Sequence, residues 1–290
     1  MSRFRNPYRK WKSRVLLSLL GLGALAAVFP LVMILLHLVR EGWSALNLAF
    51  FTETQKPVGE LGGGMAHSIL GTLGLVGLAS GIGIPLGLAS GVYLSEYGGT
   101  GQRSGERLAG WVRFALELFS STPSILIGVF VYGLVVVPMK HFSLLAGALA
   151  LALILIPLVA RTSEELLRLV PGSLREAGLA LGIPRWKVIL HIVLGSARPA
   201  VLASLVLAVA RIAGETAPLV FTSFGSPSFV KGITEPTSAL PLQIYTYAIS
   251  PFEEWHRMAW AGALLLVALV LILNAVMRVL SHGLGGGAHE

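Results

Sequence analysis

The run ARIAGETAPLVF, from Ala210 to Phe221, places two charged residues inside an otherwise apolar stretch. Arg211 and Glu215 are four residues apart, which puts both on one face of a helix and close enough to pair. Arginine presents a planar, permanently charged fork of N–H groups that suits a tetrahedral oxyanion. A neighbouring glutamate would keep the empty site near neutral and would prevent an anion from binding too tightly to leave.

Both charges are costly if this stretch crosses a membrane. The apolar run begins near Pro199, so Arg211 lies about 18 Å into a hydrocarbon core about 30 Å thick. A lone arginine there costs about 2.5–3.5 kcal/mol on the insertion scale, and pairing with Glu215 offsets part of that cost. Two interpretations stay open: a buried ion pair that holds this helix to its neighbours, or a transient contact for a transported anion.

The composition predicts a membrane protein. The chain has 290 residues, of which 54% are hydrophobic and only 12% charged, and its mean hydropathy is +0.77. Soluble domains carry about twice that charged fraction. Runs of about 20 apolar residues are needed to cross a bilayer, and six are present. We therefore predict an all-α integral membrane protein with transmembrane helices over 15–39, 67–94, 114–137, 142–160, 199–221 and 258–280.

The distribution of basic residues predicts the orientation. Sixteen of the 22 lysines and arginines fall in the tail 1–14, the loop 95–113, the segment 161–198 and the end of the sixth span. Basic residues mark the cytoplasmic side, so both termini, including the tail 281–290, are expected in the cytoplasm and the loop 40–66 in the periplasm. The net charge of +8 therefore reflects topology rather than nucleic-acid binding.

The second span is rich in glycine and begins with a histidine. Gly83, Gly87 and Gly91 are four residues apart, a spacing that predicts close packing of this helix against another. His67 is expected at the outer surface as a solvated boundary residue. The chain has no cysteine, and no cluster of histidines and carboxylates has the spacing of metal ligands.

The loop 161–195 has the pattern of two helices joined by a turn. Pro171 and Gly172 interrupt the first helix, and Ser173 with Glu176 three residues later predicts a capping box. Gly182 is expected to end the short second helix, before a proline that starts the next. This pattern indicates a rigid projection on the cytoplasmic face, although an amphipathic helix lying on the membrane surface is the alternative.

This loop resembles the EAA loop of ATP-binding-cassette importer permeases. The letters EAGLALG, nine further residues and then IVL follow that pattern, with departures at Gly178 and Gly195. In that family the loop is a coupling helix that docks on a separate ATP-hydrolysing subunit. The resemblance implies that docking involves Glu176, Ala177, Gly182 and Arg185.

ATP is expected to bind elsewhere. No lysine of the chain follows a glycine, so the G-x-x-x-x-G-K-[ST] loop that cradles nucleotide phosphates is absent from the sequence. We therefore expect a non-catalytic subunit that binds no cofactor itself, with ATP and Mg²⁺ held by a partner.

The chain is most similar to phosphate permeases of the PstA type. The stretches GIPLGLASGVYLSEYG, SSTPSILIGVFVYG, RTSEELLRLVPGSLREAGLALG and ARIAGETAPLVFTSFG carry this likeness, which covers about three quarters of the chain. It implies a type I ABC-importer permease core of the MetI-like kind over 67–280, in the bacterial inner membrane. The substrate path is then expected to include Arg211, Glu215 and Thr216.

The same resemblance implies an assembly. Its expected parts are a second permease of the PstC type, two ATP-binding subunits and a periplasmic phosphate-binding protein, for which the segment 223–257 is a plausible docking surface. A permease for sulfate, molybdate or tungstate is the first alternative, because an arginine followed by Gly-Glu in the fifth span also occurs there. A secondary carrier that works without an ATPase is the second.

Overall fold

The computed structural model describes residues 7–57, 60, 62–98 and 103–285. They form helices, two of which contain a π-helical stretch, over Tyr132–Val136 and Val188–Val193. The helices are α1 Pro7–Gly42, α2 Leu48–Thr52, α3 Ala66–Glu96, α4 Arg103–Ser121, α5 Ser124–Met139, α6 Leu144–Arg168, α7 Gly172–Ala180, α8 Arg185–Ala213, α9 Ala217–Thr222, α10 Leu240–Ala248 and α11 Glu253–Gly285.

Six spans are present if one broken helix is counted as a span. Five helices, α1, α3, α6, α8 and α11, are long and apolar enough to cross a membrane, and α4 with α5 forms a bent pair. The two halves of that pair meet at an angle of 107°. The six predicted spans are thus found within the described residues, but the third is not the straight helix expected over 114–137.

Proline causes the break in the third span. Pro123 has an extended backbone with ψ of 137° and precedes the first residue of α5. The residue before a proline is also pushed out of the helical region, so Thr122 cannot continue α4. The part of the predicted span before residue 122 consequently belongs to α4, and the part from residue 124 onwards belongs to α5.

The fifth span also differs from its predicted bounds. α8 begins at Arg185 rather than near residue 199, and it ends at Ala213, with Gly214 in the position that follows the last helical residue. The chain then starts a new short helix, α9, which has Pro218 in its first turn. Proline lacks the N–H that a continuous helix would need at that point.

The centre of the fold is a pair of parallel helices, α3 and α6, packed along their length. Gly83, Gly87 and Gly91 are all buried in this contact, which confirms the predicted small-residue face. A methyl group on Gly87 would lie 2.7 Å from Val159 Cβ and 2.9 Å from the carbonyl oxygen of Ile156. Such distances leave no room for a side chain, so the glycines set the separation of the two helices.

Polar contacts close the end of the bundle where α3 and α6 begin. The backbone N–H of Leu240 donates to Thr72 Oγ1 over 2.7 Å, and Ser68 Oγ donates to Ser238 Oγ over 3.0 Å. His67 is completely buried beneath these groups, with its Nε2 3.1 Å from Ser68 Oγ. The expectation of a solvated His67 is therefore wrong, because the segment that leads into α10 folds over the start of α3.

The glycine contact gives a testable expectation for stability. Gly87→Ala should lower the melting temperature of the purified protein in detergent, because overpacking a filled contact costs about 1–3 kcal/mol. Gly81→Ala is the matched control on the same helix, since a methyl group there meets nothing within 4 Å. Equal melting temperatures for the two variants would contradict the packing described.

Candidate functional site

Arg211 and Glu215 lie on either side of the end of α8. Arg211 is in the last turn of the helix, where a cation interacts favourably with the helix dipole. Glu215 lies in the connection to α9, and its N–H donates to the carbonyl of Ile212 over 3.2 Å. Within the described residues the two side chains form no ion pair, because the helix that was expected to align them ends at Ala213.

Both residues nevertheless line one cavity of about 510 Å³. Its walls are the bend between α4 and α5, one side of α6, and the break between α8 and α9. Thr216, which was predicted with Arg211 and Glu215, directly precedes α9 and lies outside this lining. The lining residues are Phe119, Ser120, Ser121, Thr122, Pro123, Ser124, Ile127, Ile154, Pro157, Leu158, Arg161, Thr162, Glu165, Arg211 and Glu215.

The charges of the cavity lining balance. Two arginines and two glutamates contribute side chains, so the formal charge of the lining is zero. Arg161 and Glu165 form a long ion pair on α6, with 3.9 Å between Nε and Oε1 and both side chains about two-thirds exposed. Arg211 is exposed and Glu215 is half-buried. Both guanidinium groups can therefore be reached from the solvent-filled cavity.

The bend of the third span adds hydrogen-bonding groups to the cavity. α5 begins at Ser124, and the first N–H groups of a helix have no partner within the helix. Thr122 Oγ1 donates to the carbonyl of Leu118 over 2.6 Å. The hydroxyls of Ser120 and Ser124 form no hydrogen bond among the described residues, so they are free to donate into the cavity.

Sequence reasoning missed half of this charged lining. It placed Arg161 in the loop after the fourth span and gave Glu165 no role, whereas α6 continues as a helix to Arg168. The spacing of Arg161 and Glu165 repeats that of Arg211 and Glu215, and this repeat was the available signal. The serines of the bend could not be assigned, because a straight third span would have spread them around a helix.

The predicted coupling loop forms a short helix at the end of the bundle. α7 exposes Glu176 and Ala177, and Leu181, immediately after it, is 79% exposed. Pro171 rather than Ser173 precedes the helix, and no side chain caps it, so the predicted capping box is not formed. Gly182 has a φ of +75°, a conformation that favours glycine, and it ends the helix as predicted.

Arg185 is exposed, but its guanidinium contacts the end of α3. Its Nη2 donates to the backbone oxygen of Glu96, and its guanidinium lies over the ring of Tyr97 at 4.6 Å. These contacts join the start of α8 to the end of α3. The predicted role of Arg185 in docking is untested, and in this structure the side chain serves to hold the loop.

Comparisons with known proteins agree with this architecture. A family model described as a binding-protein-dependent transport system inner membrane component matches residues 83–285. The chain belongs to this permease family.

Among curated proteins, this permease is similar to phosphate transport system permease proteins PstA. The Yersinia pestis protein is 45% identical over 96% of this chain and 92% of its own length. A probable PstA from Methanocaldococcus jannaschii is 38% identical over 93% and 94%. A chain in an inward-facing structure of the MetNI methionine ABC transporter matches with a TM-score of 0.64, covering 76% of this chain and 95% of that one. At 20% identity the structural match shows the fold alone.

The permease departs from the EAA pattern at Gly178 for a reason visible in the packing. Gly178 is buried, and a methyl group there would lie 2.8 Å from Ile192 Cδ1 and 3.0 Å from Val188 Cγ2. Because glycine stands where the EAA pattern has alanine, α7 can lie close against the first turns of α8. Any weakening of α7 by glycine, up to about 1 kcal/mol, is therefore accompanied by closer packing.

Proposed function

We propose that the permease is one membrane subunit of an ATP-driven phosphate importer and that the cavity described above is part of its substrate path. The observation that carries the proposal is the charge-balanced lining, in which Arg211 and Arg161 are both accessible to an anion. The names of the curated PstA relatives support phosphate as the oxyanion.

The lining suits an anion that must bind weakly and leave. A guanidinium can donate two parallel hydrogen bonds to phosphate oxygens, and the free hydroxyls at the bend can add others. Glu215 and Glu165 lower the affinity by repulsion, which fits a path in which tight binding would slow release. Selectivity can then come from a binding protein outside the membrane.

The proposed assembly follows from what this chain lacks. It has no phosphate-cradling loop for ATP, so the energy would come from two ATP-binding subunits that hold ATP and Mg²⁺. One of these subunits would contact the exposed surface of α7. A second permease of the PstC type would complete the path, and a periplasmic phosphate-binding protein would deliver the substrate.

The proposed orientation has both termini and α7 in the cytoplasm of the bacterial cell. The sixteen basic residues on that side support it. α3 and α6 are parallel and end next to α7, as helices that both run towards the cytoplasm would.

Substitution of Arg211 tests the substrate path. We expect Arg211→Ala to lower phosphate uptake by the assembled transporter about tenfold or more, because a hydrogen bond to a charged group contributes about 1.5–3 kcal/mol. Arg211→Lys should retain part of the uptake, since it keeps the charge but loses the fork. Arg198→Ala is the control, an exposed arginine of the same helix outside the cavity. Unchanged uptake in both Arg211 variants would exclude Arg211 from the substrate path, and lost assembly in both would favour a structural role for this residue.

Co-purification separates an importer from an independent carrier. Expressed with its genomic neighbours, the chain should be isolated together with an ATPase. Leu181→Asp should reduce the amount of ATPase that is isolated with the permease, because it places an unpaired charge in the proposed apolar contact between α7 and the ATPase. Leu48→Asp, a substitution at an equally exposed leucine on α2, should not. Isolation of the unchanged chain without any ATPase would contradict the proposal.

Cysteine labelling tests the orientation without removing native thiols, since the chain has none. Both Ser173 and Ser228 are exposed. In intact cells whose outer membrane has been made permeable, a membrane-impermeant maleimide should modify Ser228→Cys. It should modify Ser173→Cys only after the inner membrane is opened. The reverse pattern would show that the orientation is inverted.

A further inference from the structure

An ion pair with a buried carboxylate and a half-buried guanidinium joins the loop of α7 to the helix bundle. Glu96 is the last residue of α3, and its side chain is only 5% exposed. Arg175 of α7 approaches it with 2.7 Å between Nη2 and Oε1, and Arg175 Nε lies 3.1 Å from Oε2. The arrangement is a two-point contact between a guanidinium and a carboxylate, the geometry in which such pairs are strongest.

The same guanidinium also binds the end of α6. Arg175 Nη1 donates to the carbonyl of Val170 over 2.6 Å, and Nη2 donates to the carbonyl of Leu167 over 2.9 Å. The last carbonyls of a helix lack partners within the helix and attract cations. One side chain thus joins α7 to the ends of both parallel helices, and Arg185 adds the start of α8 through the backbone oxygen of Glu96.

Glu96 is poorly placed for stability alone. A carboxylate at the C-terminal end of a helix is repelled by the helix dipole, and burial removes its hydration. Replacing a buried ion pair by apolar residues is often neutral or stabilising, so such a pair is weak evidence for a stabilising role. What the pair does provide is a fixed orientation of α7 relative to α3 and α6.

The end of α6 continues into the cavity wall. Leu167, which accepts from Arg175, lies less than two turns after Arg161 of the cavity lining. α4 is tied to the same helix, because Arg113 Nη2 lies 3.0 Å from Glu164 Oε1. The contacts of Arg175 with Glu96 and with the end of α6 form a clamp between α7 and these helices. A displacement of α7 at this clamp is therefore passed to the cavity wall that carries Arg161 and Glu165.

We propose that Arg175 and Glu96 are positioning residues that couple ATP hydrolysis to transport, by making α7, α3 and α6 move as one unit. This inference rests on the proposed importer function, in which α7 receives the movement of an ATPase. A lysine at position 175 would keep the charge but could not reach the carboxylate and both carbonyls at once.

Two substitutions test the clamp, each with two measurements. Glu96→Gln removes the charge with little change of shape, and Arg175→Lys keeps the charge but removes the fork. Arg168→Gln is the control, because it breaks an ion pair of the same 2.7 Å length at a half-exposed site on α6. The first measurement, in the assembled transporter, is phosphate taken up per ATP hydrolysed. Both clamp variants should keep hydrolysing ATP while this ratio falls about fivefold or more, a typical size for coupling between sites.

The second measurement needs no ATPase. Spin labels on Gly77→Cys and Ser173→Cys report the distance between α3 and α7, and Gly77 lies about 28 Å along the helix from Glu96. The distance distribution should be narrow in the spin-labelled protein without further substitutions and in its Arg168→Gln variant. It should be broad in both clamp variants. If one clamp variant does not fold, the other variant still tests whether the ion pair holds α7 in place.

Three results would overturn the inference. The first is a distribution that stays narrow in the clamp variants, and the second is a broad one with an unchanged ratio of uptake to hydrolysis. The third is a parallel loss of uptake and hydrolysis that leaves their ratio unchanged, as a structural role alone would produce. If no ATPase assembles with the parent chain, the importer proposal fails, whereas the spin labels still decide whether the ion pair holds α7.

Discussion

The bilayer cannot hydrogen-bond to a protein backbone, and this constraint explains where the permease has its breaks. An unsatisfied backbone group in hydrocarbon costs several kcal/mol, so interrupted membrane helices persist only where they line protein or water. The break at Pro123 and the break after Ala213 both face the cavity of about 510 Å³ that Arg211 lines. The N–H of Ser124 at the start of α5, which has no backbone partner among the described residues, can thus bind water or a substrate. At the end of α8 the carbonyls of Arg211 and Ile212 accept from the N–H groups of Gly214 and Glu215.

The opposite wall of the cavity is built to be rigid. α6 packs on α3 through glycines that leave no room for a methyl group, and Arg175 fixes the ends of both helices. The cavity therefore lies between one rigid pair and two interrupted helices. Any shift of α6 relative to α8 would change the distance between Arg161 and Arg211, which line the cavity from these two helices.

Sequence alone was sufficient for features set by local composition. Apolar length predicted six spans, the spacing of Gly83, Gly87 and Gly91 predicted a packed face, and the turn residues predicted α7 with its end at Gly182. It was insufficient where distant segments meet. His67 is buried because α10 and the segment before it fold over it, and Arg185 is occupied by contacts with the end of α3, which lies beside it. The break at Pro123 was also missed, because a proline within an apolar run is compatible with both a kink and an interruption.

The main change to the candidate site concerns the relation between Arg211 and Glu215. In a continuous helix the two charges would neutralise each other at a fixed spacing, and the arginine would have little capacity left for an anion. The end of α8 at Ala213 separates them and leaves Arg211 exposed at the cavity. Glu215 keeps the lining neutral overall without occupying the guanidinium fork. An anion can then replace solvent at Arg211 without breaking an ion pair, and repulsion from Glu215 limits how strongly it is held.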